Sequence, residues 1–319
     1  MDVCYKECEK IEKLRSLAVH SNTKRCPIIY EVVPVIGCEF QCVYCNALGQ
    51  EEGKEFLPVQ IDINYVSFFR EEIKKHREQG IYPLYYYSPK TDCFQKVLLE
   101  SGITKQILQV FNEFECEYVI VSKGVPTDDV FEEIVKSKER CQVIITYGMP
   151  SEEYRDKLEK GAASNEERFY FAEKCVKNNI QTCIILEPIL PLADLSFVEE
   201  IIKAFSAIHI RHFALDFVRI SDVALKNIIE ILPECKEQFE RVYLDPDADI
   251  QNFRTAKGTV VARRAPSKRY ILERFMEFKE IAKKYGSTVS ACNSFGFDEF
   301  NEDANKAGYQ CMGIKLRNQ

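Results

Sequence analysis

Short runs of β-branched and aromatic residues alternate along the chain with segments in which apolar residues recur every three or four positions. The first pattern is typical of buried strands and the second of amphipathic helices. Their regular alternation indicates βαβ units and therefore a parallel sheet in an α/β fold. Six strands are predicted, near Ile28–Ile36, Leu84–Ser88, Tyr118–Ser122, Gln142–Tyr147, Thr182–Glu187 and His212–Val218.

Capping signals mark several of the helices between these strands. A helix from Asn64 to Gln79 is expected to stop at Gly80, since glycine readily adopts the left-handed conformation that ends helices. The segment Ser196-Phe-Val-Glu199 has the pattern of a capping box and predicts a helix start. Another helix is expected to begin near Pro266–Ser267.

The same pattern divides the chain into three parts. Residues 1–27 are interpreted as an N-terminal helical segment, residues 28–221 as the β/α domain, and residues 222–319 as a helical and loop-rich extension that covers the active site. Six β/α units are too few for a complete eight-stranded barrel. In parallel architectures of this kind, functional side chains collect at the carboxyl ends of the strands.

Composition narrows the class of protein. The 319 residues are 46% hydrophobic and 29% charged, which is ordinary for a globular protein. No apolar run approaches the ~20 residues of a membrane span, and the first residues do not resemble a secretory signal. Fourteen cysteines in such a chain indicate a reducing compartment, so we expect a cytoplasmic protein. Core packing is expected for Cys116, Cys141, Cys175 and Cys183.

The most informative motif is a group of three cysteines directly after the first predicted strand. Cys38, Cys42 and Cys45 lie in the run Gly37-Cys-Glu-Phe-Gln-Cys-Val-Tyr-Cys-Asn46, with C-x3-C-x2-C spacing. Iron–sulfur cubanes are normally held by four cysteines, so a loop with three would leave one iron open to a further ligand. The alternatives are a zinc loop or three unrelated buried thiols.

This motif, with the aromatic Tyr44 before its last cysteine, resembles that of the radical S-adenosylmethionine (SAM) superfamily. Further segments, from about Tyr30 to Asp194, resemble the spore photoproduct lyase branch of that superfamily. They are Tyr87-Ser-Pro-Lys-Thr-Asp-Cys-Phe-Gln95, Val121-Ser-Lys-Gly124, Arg155 to Ser164, and Glu187-Pro-Ile-Leu-Pro191.

The resemblance implies a fold, two cofactors and a chemistry. The fold would be a partial, TIM-like (β/α)6 barrel. A 4Fe-4S cluster on Cys38, Cys42 and Cys45 would bind SAM and, after reduction by a donor such as flavodoxin or ferredoxin, cleave it to methionine and a 5'-deoxyadenosyl radical. The radical would then abstract hydrogen from the substrate. Residues expected at SAM by the same resemblance are Tyr44, Thr91, Lys123 and Thr146.

The chain departs from the DNA-repair members at the loop after the second predicted strand. Those members carry a hydrogen-donating cysteine there, whereas this chain has Ser88-Pro-Lys-Thr-Asp92, and its nearest thiol is Cys93. Repair of the thymine photolesion by the same route is therefore not expected. Cys93 remains a candidate catalytic thiol, and Asp92 and Gln95 are candidate substrate contacts, with loop capping by Asp92 as the alternative.

A basic stretch suggests an anionic substrate. Arg254 to Arg269 contains six positive charges and no acidic residue, although the whole chain has a net charge of −7. Such a local field suits phosphates or a nucleotide, and Arg263 and Arg264 are the candidate contacts. A solvated loop is the alternative. The negative net charge disfavours a nucleic-acid-coating protein, so nucleic acid is not the favoured partner.

Two further cysteines lie near the C-terminus. Cys292 and Cys311 flank a segment rich in Phe, Gly and acidic residues. They are candidate redox or hydrogen-donating thiols, with simple burial as the alternative.

These observations favour a radical SAM enzyme acting on an anionic substrate such as a nucleotide or nucleotide sugar, with lyase- or transferase-type chemistry. One alternative is a radical SAM enzyme that modifies peptides. The other is an iron–sulfur or zinc-binding module without SAM chemistry, which the six-unit pattern disfavours because a carrier needs no such scaffold.

Overall fold

The structure is a computed structural model of the chain. It describes residues 5–17, 19–20, 28–45, 56–192, 194–254, 260–292, 301–310 and 313–315. In these residues the strands are β1 (Tyr5–Cys8), β2 (Val19–His20), β3 (Ile29–Val32), β4 (Val35–Ile36), β5 (Val59–Asp62), β6 (Leu84–Tyr87), β7 (Glu117–Ser122), β8 (Cys141–Thr146), β9 (Gln181–Leu186), β10 (His212–Leu215), β11 (Ile220–Ser221), β12 (Asp249–Arg254), β13 (Val260–Ala265) and β14 (Thr288–Ala291).

The α-helices of the same residues lie mainly between these strands. They are α1 (Tyr65–Glu78), α2 (Lys96–Glu100), α3 (Ile103–Glu113), α4 (Asp128–Lys136), α5 (Glu152–Leu158), α6 (Asn165–Lys177), α7 (Leu195–Ala207), α8 (Asp222–Ile231), α9 (Lys236–Tyr243), α10 (Lys268–Lys284) and α11 (Glu302–Lys306). Single turns of 3-10 helix occur at Glu12–Leu14 and Pro233–Cys235.

The chain divides into two compact units, of which the first comprises Met1–Phe40, Leu57–Ile145 and Glu167–Thr182. Its main sheet has the strand order β2-β3-β6-β7-β8. All of these pairings are parallel except that of β2 with β3. A smaller sheet has the order β1-β5-β4. Because β3, β6 and β7 are parallel neighbours, the loops that follow β6 and β7 begin at the same edge of the sheet.

An aromatic cluster forms part of the core of this unit. The rings of Phe111 on α3 and Tyr118 on β7 stack with their centroids 4.3 Å apart, and Phe69 on α1 meets Phe111 edge-on at 5.3 Å. All three side chains are fully buried. Such pairs add to the free energy gained from burial, and they fix the helices against the sheet. The strands that carry the loops at the sheet edge are therefore held rigidly.

The second unit comprises Gln41–Phe56, Thr146–Glu166 and Cys183–Gln319. Its parallel strands have the order β9-β10-β14. A separate antiparallel sheet has the order β11-β13-β12, in which β12 and β13 pair over six residues each. The domain boundaries suggested by the sequence, after residues 27 and 221, do not coincide with these two units and remain predictions.

Seven parallel strands with surrounding helices make this a mixed α/β fold of the partial TIM-barrel class, as predicted. Each of the six predicted strands overlaps a strand of the structure, namely β3, β6, β7, β8, β9 and β10, and β7, β8 and β9 begin one residue earlier than predicted. The seventh, β14, was not predicted. It has only four residues and follows directly after α10 and its terminal Gly286, so its pattern is too short to stand out. No helix of the described residues is long and apolar enough to cross a bilayer.

The first predicted strand is wrong in its extent, because the chain changes sheets within it. β3 pairs with β6, whereas β4 pairs with β5 in the smaller sheet. Val33 and Pro34 separate the two strands, and proline has no N–H to donate to a sheet. Short apolar runs do not reveal such a change, since both halves are buried.

The N-terminal helix is also not found in the described part of residues 1–27. That part forms β1, one 3-10 turn and β2. β1 pairs in parallel with β5, so tertiary pairing overrides the local helical pattern.

Two details of the later part differ from expectation. The extension after residue 222 contains the β12–β13 pair and β14 as well as helices. The helix α7 begins one residue before Ser196, and Asp194 caps it by accepting a hydrogen bond from the backbone N–H of Phe197 at 2.8 Å. A carboxylate is as good a cap as a hydroxyl, so the sequence pattern allowed either. The helix start at Ser267 is confirmed.

Candidate functional site

The three-cysteine loop leaves β4 through a glycine that no other residue could replace without strain. Gly37 has a φ of 76°, and a Cβ there would lie 2.7 Å from the carbonyl oxygen of Leu57 and 2.9 Å from that of Pro58. Further along the loop, the N–H of Cys45 donates to the carbonyl oxygen of Cys42 at 2.9 Å, which closes a turn. Close backbone approach therefore determines where the loop begins.

The thiols of this loop differ in exposure. Cys42 is buried, at 9% exposure, and Cys38 and Cys45 are partly exposed. In the described parts of the chain, no group of three His, Cys, Asp or Glu side chains is close enough to hold a metal ion. The chemistry of the three thiols nevertheless fits a cluster bound by three thiolates, and Cys38, Cys42 and Cys45 are the residues that would hold it.

The end of α5 holds the second half of the cysteine loop. The N–H of Val43 donates to the carbonyl oxygen of Leu158 at 2.9 Å. Next to it, the hydroxyl of Tyr44 donates a short hydrogen bond to the carboxylate of Glu159, which is completely buried. The predicted SAM-packing role of Tyr44 stays a prediction, but its hydroxyl is engaged within the protein. Glu159 was not singled out from the sequence, although it lies in one of the segments that carry the family resemblance.

The loop after β6 contains two buried hydroxyls that suit a ligand. Ser88 has a φ of 55°, which is uncommon for a residue other than glycine. Within the described residues, neither the Ser88 Oγ nor the Thr91 Oγ1 has a hydrogen-bond partner, although both atoms are buried. Buried hydroxyls are normally bonded, so a polar group of a ligand would satisfy them. Thr91 remains a predicted SAM contact.

Asp92 and Gln95, the predicted substrate contacts of this loop, are used inside the protein. The Asp92 carboxylate accepts hydrogen bonds from Ser122, Lys123 and Phe94. The Gln95 amide group accepts from Glu39 and donates to the carbonyl oxygen of Asp92. Asp92 is only 5% exposed and Gln95 is fully buried. The arrangement favours the alternative that Asp92 caps the loop.

Lys123 and Thr146 lie where the strand pattern placed them. Lys123 directly follows β7 and is partly buried, and its backbone N–H is the group bonded to Asp92 at 2.8 Å. Thr146 is the last residue of β8 and is 1% exposed. Their predicted contacts with SAM stay predictions.

The candidate catalytic cysteines have different surroundings. Cys93 is fully buried, and burial raises the pKa of its thiol well above the ordinary value, with the Asp92 charge adding to the effect. It would therefore remain protonated and out of reach of a substrate unless the loop moved. Cys292 follows β14 and is 9% exposed, whereas Cys311 lies outside the described residues. The four cysteines expected in the core are buried.

The two candidate substrate arginines lie side by side on β13 but have different partners. Arg264 forms an ion pair with Asp222, with its Nε 2.6 Å from the carboxylate. Arg263 is partly buried. Burial lowers the pKa of its guanidinium and so does the charge of Arg219, whereas the Cys45 thiol acts in the opposite direction. Successive residues of a strand face opposite sides, which explains why the two arginines have different surroundings.

Arg219 is a further basic residue that the sequence did not single out. It precedes β11 and is partly buried, outside the predicted basic stretch. Its charge and that of Arg263 are close enough to affect each other. The pairing of β11 with β13 brings these two parts of the chain together. Arg254 lies on β12, and Lys257 lies outside the described residues.

Comparison with known proteins identifies the fold. No protein-family model matches the sequence, and no curated protein matches it. Among solved structures, spore photoproduct lyase complexed with a dinucleoside spore photoproduct matches with a TM-score of 0.65 and 13% identity, over 87% of this chain and 80% of that chain. The chain has the fold of the radical SAM enzyme spore photoproduct lyase. The resemblance seen in the sequence is thereby confirmed at the level of the fold.

Two further radical SAM structures agree. A variant of spore photoproduct lyase with bound AdoMet and dinucleoside spore photoproduct matches with a TM-score of 0.64 and 13% identity, over 89% of this chain and 80% of that chain. The radical SAM methyltransferase TsrM from Kitasatospora setae matches with a TM-score of 0.53 and 13% identity, over 82% of this chain and 52% of that chain. The chain thus spans about half the length of TsrM.

Proposed function

We propose that this protein is a radical SAM enzyme acting on an anionic substrate of the nucleotide type. The observation that carries the proposal is the C-x3-C-x2-C loop after β4 in a chain with the spore photoproduct lyase fold. When bound, the 4Fe-4S cluster would supply the electron that cleaves SAM to methionine and a 5'-deoxyadenosyl radical. Cys38, Cys42 and Cys45 would hold the cluster.

The protein's own contribution is to bind SAM and the substrate, to orient them relative to each other, and to exclude water from the site. A carbon radical attacks many C–H bonds, so the geometry of binding has to select the hydrogen. Lys123 would pair with the carboxylate of SAM, and the buried hydroxyl of Thr91 would bond to a polar atom of the same ligand. Thr146, at the end of its strand, would contact the ribose.

Arg263 and Arg219 support the anionic part of the proposal. Two guanidinium groups that raise the electrostatic potential at one place attract a phosphate, and partial burial strengthens that attraction. The influence of Cys45 on Arg263 indicates that this potential acts beside the cysteine loop. A known complex of the same fold contains a dinucleoside, which favours a base and sugar in the substrate here, whereas the phosphate is argued from the two arginines.

The first experiment tests the reaction itself. Protein purified and reconstituted without oxygen would be mixed with SAM and dithionite, and 5'-deoxyadenosine and methionine would be quantified. We expect formation of 5'-deoxyadenosine by the native protein and none by Cys42→Ala. A protein that carries zinc and no iron after oxygen-free isolation would instead support the metal-binding module and refute the proposal.

A second experiment tests the substrate class with the dinucleotide thymidylyl-thymidine as the probe. Arg263→Ala is expected to weaken its binding about tenfold, since a charge-assisted phosphate contact contributes roughly 1.5 kcal/mol. Arg269→Ala is the control, because this arginine of the same basic stretch is 86% exposed at its side chain and pairs with Glu273. If neither variant changes probe binding or SAM cleavage, a peptide substrate becomes the better interpretation.

A further inference from the structure

One buried carboxylate connects the loops after β6 and β7. The Oδ2 atom of Asp92 accepts the backbone N–H of Lys123 at 2.8 Å. Its Oδ1 atom accepts the Ser122 hydroxyl at 2.7 Å and the N–H of Phe94 at 2.8 Å. Ser122 also accepts the N–H of Gly124 at 2.8 Å. Asp92 thus fixes the backbone on both sides of the Lys123 side chain.

The same hydrogen-bond network extends through Gln95 to the cysteine loop and forms there a second branch, beside the branch from Asp92 to Lys123. The Oε1 atom of Gln95 accepts the N–H of Glu39 at 3.1 Å, and its Nε2 donates to the carbonyl oxygen of Asp92 at 3.0 Å. Glu39 lies between Cys38 and Cys42, and its carboxylate accepts the N–H of Val97 at 2.7 Å, in the first turn of α2. Both the backbone and the side chain of Glu39 are therefore held.

Packing reinforces these hydrogen bonds. A Cβ on Gly124 would lie 2.9 Å from the Phe40 ring, 2.9 Å from the Cβ of Phe94 and 3.3 Å from the Asp92 carboxylate. Glycine is thus required for the loop after β7 to approach both the cysteine loop and the loop after β6. All of these residues belong to the first compact unit.

Every polar side-chain atom of Asp92 and Gln95 already has a hydrogen-bond partner within the protein. Both oxygens of Asp92 accept, and the Gln95 amide both accepts and donates. A buried carboxyl group without hydrogen-bond partners is strongly disfavoured, so the three donors to Asp92 are needed by the fold itself. A substrate atom would also have little access to these groups, since Asp92 is 5% exposed and Gln95 is fully buried.

We propose that Asp92 and Gln95 are positioning residues: Asp92 sets the backbone that carries Lys123, and Gln95 sets the cysteine loop through Glu39. The inference rests on the proposed function, since it assumes that these two loops serve SAM and the cluster. It replaces direct substrate contact as the role of both side chains. The branch from Asp92 to Lys123 and the branch from Gln95 to Glu39 predict different consequences of mutation.

The first test measures hydrogen exchange in the protein without cofactors. Asp92→Asn, which places an amide where Lys123 needs an acceptor, is expected to speed exchange in residues 122–124 about tenfold, equivalent to one lost hydrogen bond. Gln95→Ala is expected to do the same in residues 38–40 and to leave 122–124 less affected. Ser122→Ala is the matched control at the Lys123 amide alone: it removes a donor to Asp92 and the acceptor of the Gly124 N–H but keeps the Lys123 bond, so exchange at Lys123 should stay near the native rate. Unchanged exchange in Asp92→Asn and Gln95→Ala would overturn the proposal.

The second test uses reconstituted protein and two binding readouts. Asp92→Asn should weaken SAM binding about tenfold at unchanged iron content, whereas Gln95→Ala should shorten the retention of iron during chelator challenge about fivefold. If Ser122→Ala weakens SAM binding as much as Asp92→Asn, general destabilisation is the cause and the positioning role is refuted. If the native protein takes up neither iron nor SAM, the proposed function is refuted. The exchange experiment needs no cofactor, so it tests the hydrogen-bond network independently of that outcome.

Discussion

The hydroxyl of Tyr44 donates a hydrogen bond to the carboxylate of Glu159, and both side chains are buried. One lies inside the cysteine loop and the other ends α5. The adjacent bond from Val43 to Leu158 makes this a two-point attachment. The aromatic residue of the motif therefore has a structural role as well as its predicted place beside SAM.

Tyr44→Phe should destabilise the protein by about 1–3 kcal/mol, because a buried carboxylate loses a hydrogen-bond donor while the ring still fills its space. Denaturant unfolding of the protein without cofactors measures this. Tyr170→Phe is the control, since Tyr170 is 64% exposed. Equal stability of the two variants would contradict the prediction.

His212 should make the protein sensitive to acid. Its ring nitrogens lie 2.8 Å from the Thr288 hydroxyl and 3.0 Å from that of Ser290, and the Tyr309 ring stacks on it at 4.1 Å. Burial lowers the pKa of His212 from 6.5 to about 3. The folded state thus favours the neutral ring, so this stability is present above pH 6.5 and is lost as the pH falls from 6.5 towards 3.

The contribution of His212 to the free energy of unfolding should fall by about 1.4 kcal/mol for each pH unit below 6.5. Unfolding by denaturant at pH 7.5 and pH 5.5 measures it, with His212→Asn expected to show a smaller difference between the two pH values. His209→Asn serves as the control because His209 is exposed. If His212→Asn loses as much stability between pH 7.5 and pH 5.5 as the native protein does, groups other than His212 cause the loss.

Gly124→Ala should disturb the loop contacts around the network of Asp92. The new methyl group would meet the Cβ of Phe94 at 2.9 Å, and that atom has no freedom to rotate away. Overpacking of this kind costs about 1–3 kcal/mol. Hydrogen exchange in residues 38–42 should also rise, because the Phe40 ring has to move.

Gly80→Ala separates this effect from general destabilisation. Gly80 has a φ of 70° and no atom within 4 Å of a new Cβ, so its substitution strains only the local backbone. It should lower stability without changing exchange in residues 38–42. If both variants raise that exchange, the contact with Phe40 is not the cause.

The ion pair of Arg15 and Asp62 should stabilise the fold strongly. Two guanidinium nitrogens lie 2.5 Å and 2.6 Å from the Asp62 carboxylate, whose side chain is fully buried. Arg15→Ala would leave that charge without its cation, at a cost of about 3 kcal/mol. Unfolding measurements with Lys74→Ala as the control check this, since Lys74 and Glu71 form an exposed pair whose loss should change stability far less.

Much of the scaffold follows from local pattern. Strands such as β6 and β7 are dense in aromatic and β-branched residues, and their alternation with amphipathic helices determines a parallel α/β fold. The pattern failed where pairing with distant residues decided the outcome. β1 forms because β5 is beside it, and the first predicted strand divides because β4 pairs with β5 rather than β6.

The candidate site was predictable only where the residues that carry the chemistry are close together in the sequence. The spacing of Cys38, Cys42 and Cys45 is readable from the chain, because one short loop carries all three thiols. Asp92 is different: the sequence left substrate contact and loop capping as alternatives for it, and its donors at Ser122 and Lys123 come from another strand end. Nothing in the local sequence distinguishes a buried acceptor from an exposed one.

The sequence by itself therefore determined the α/β class, the cysteine motif and the strand ends at which chemistry collects, since each depends on residues close together in the chain. Tertiary structure alone decided that Tyr44 donates a hydrogen bond to Glu159 and that Gln95 accepts one from the backbone of Glu39. It also brought Arg219 close enough to Arg263 to affect the pKa of that guanidinium. These pairs are separated by many residues. Hydrogen bonds and Coulomb forces act over a few ångströms of space, so only the folded chain brings such partners within reach.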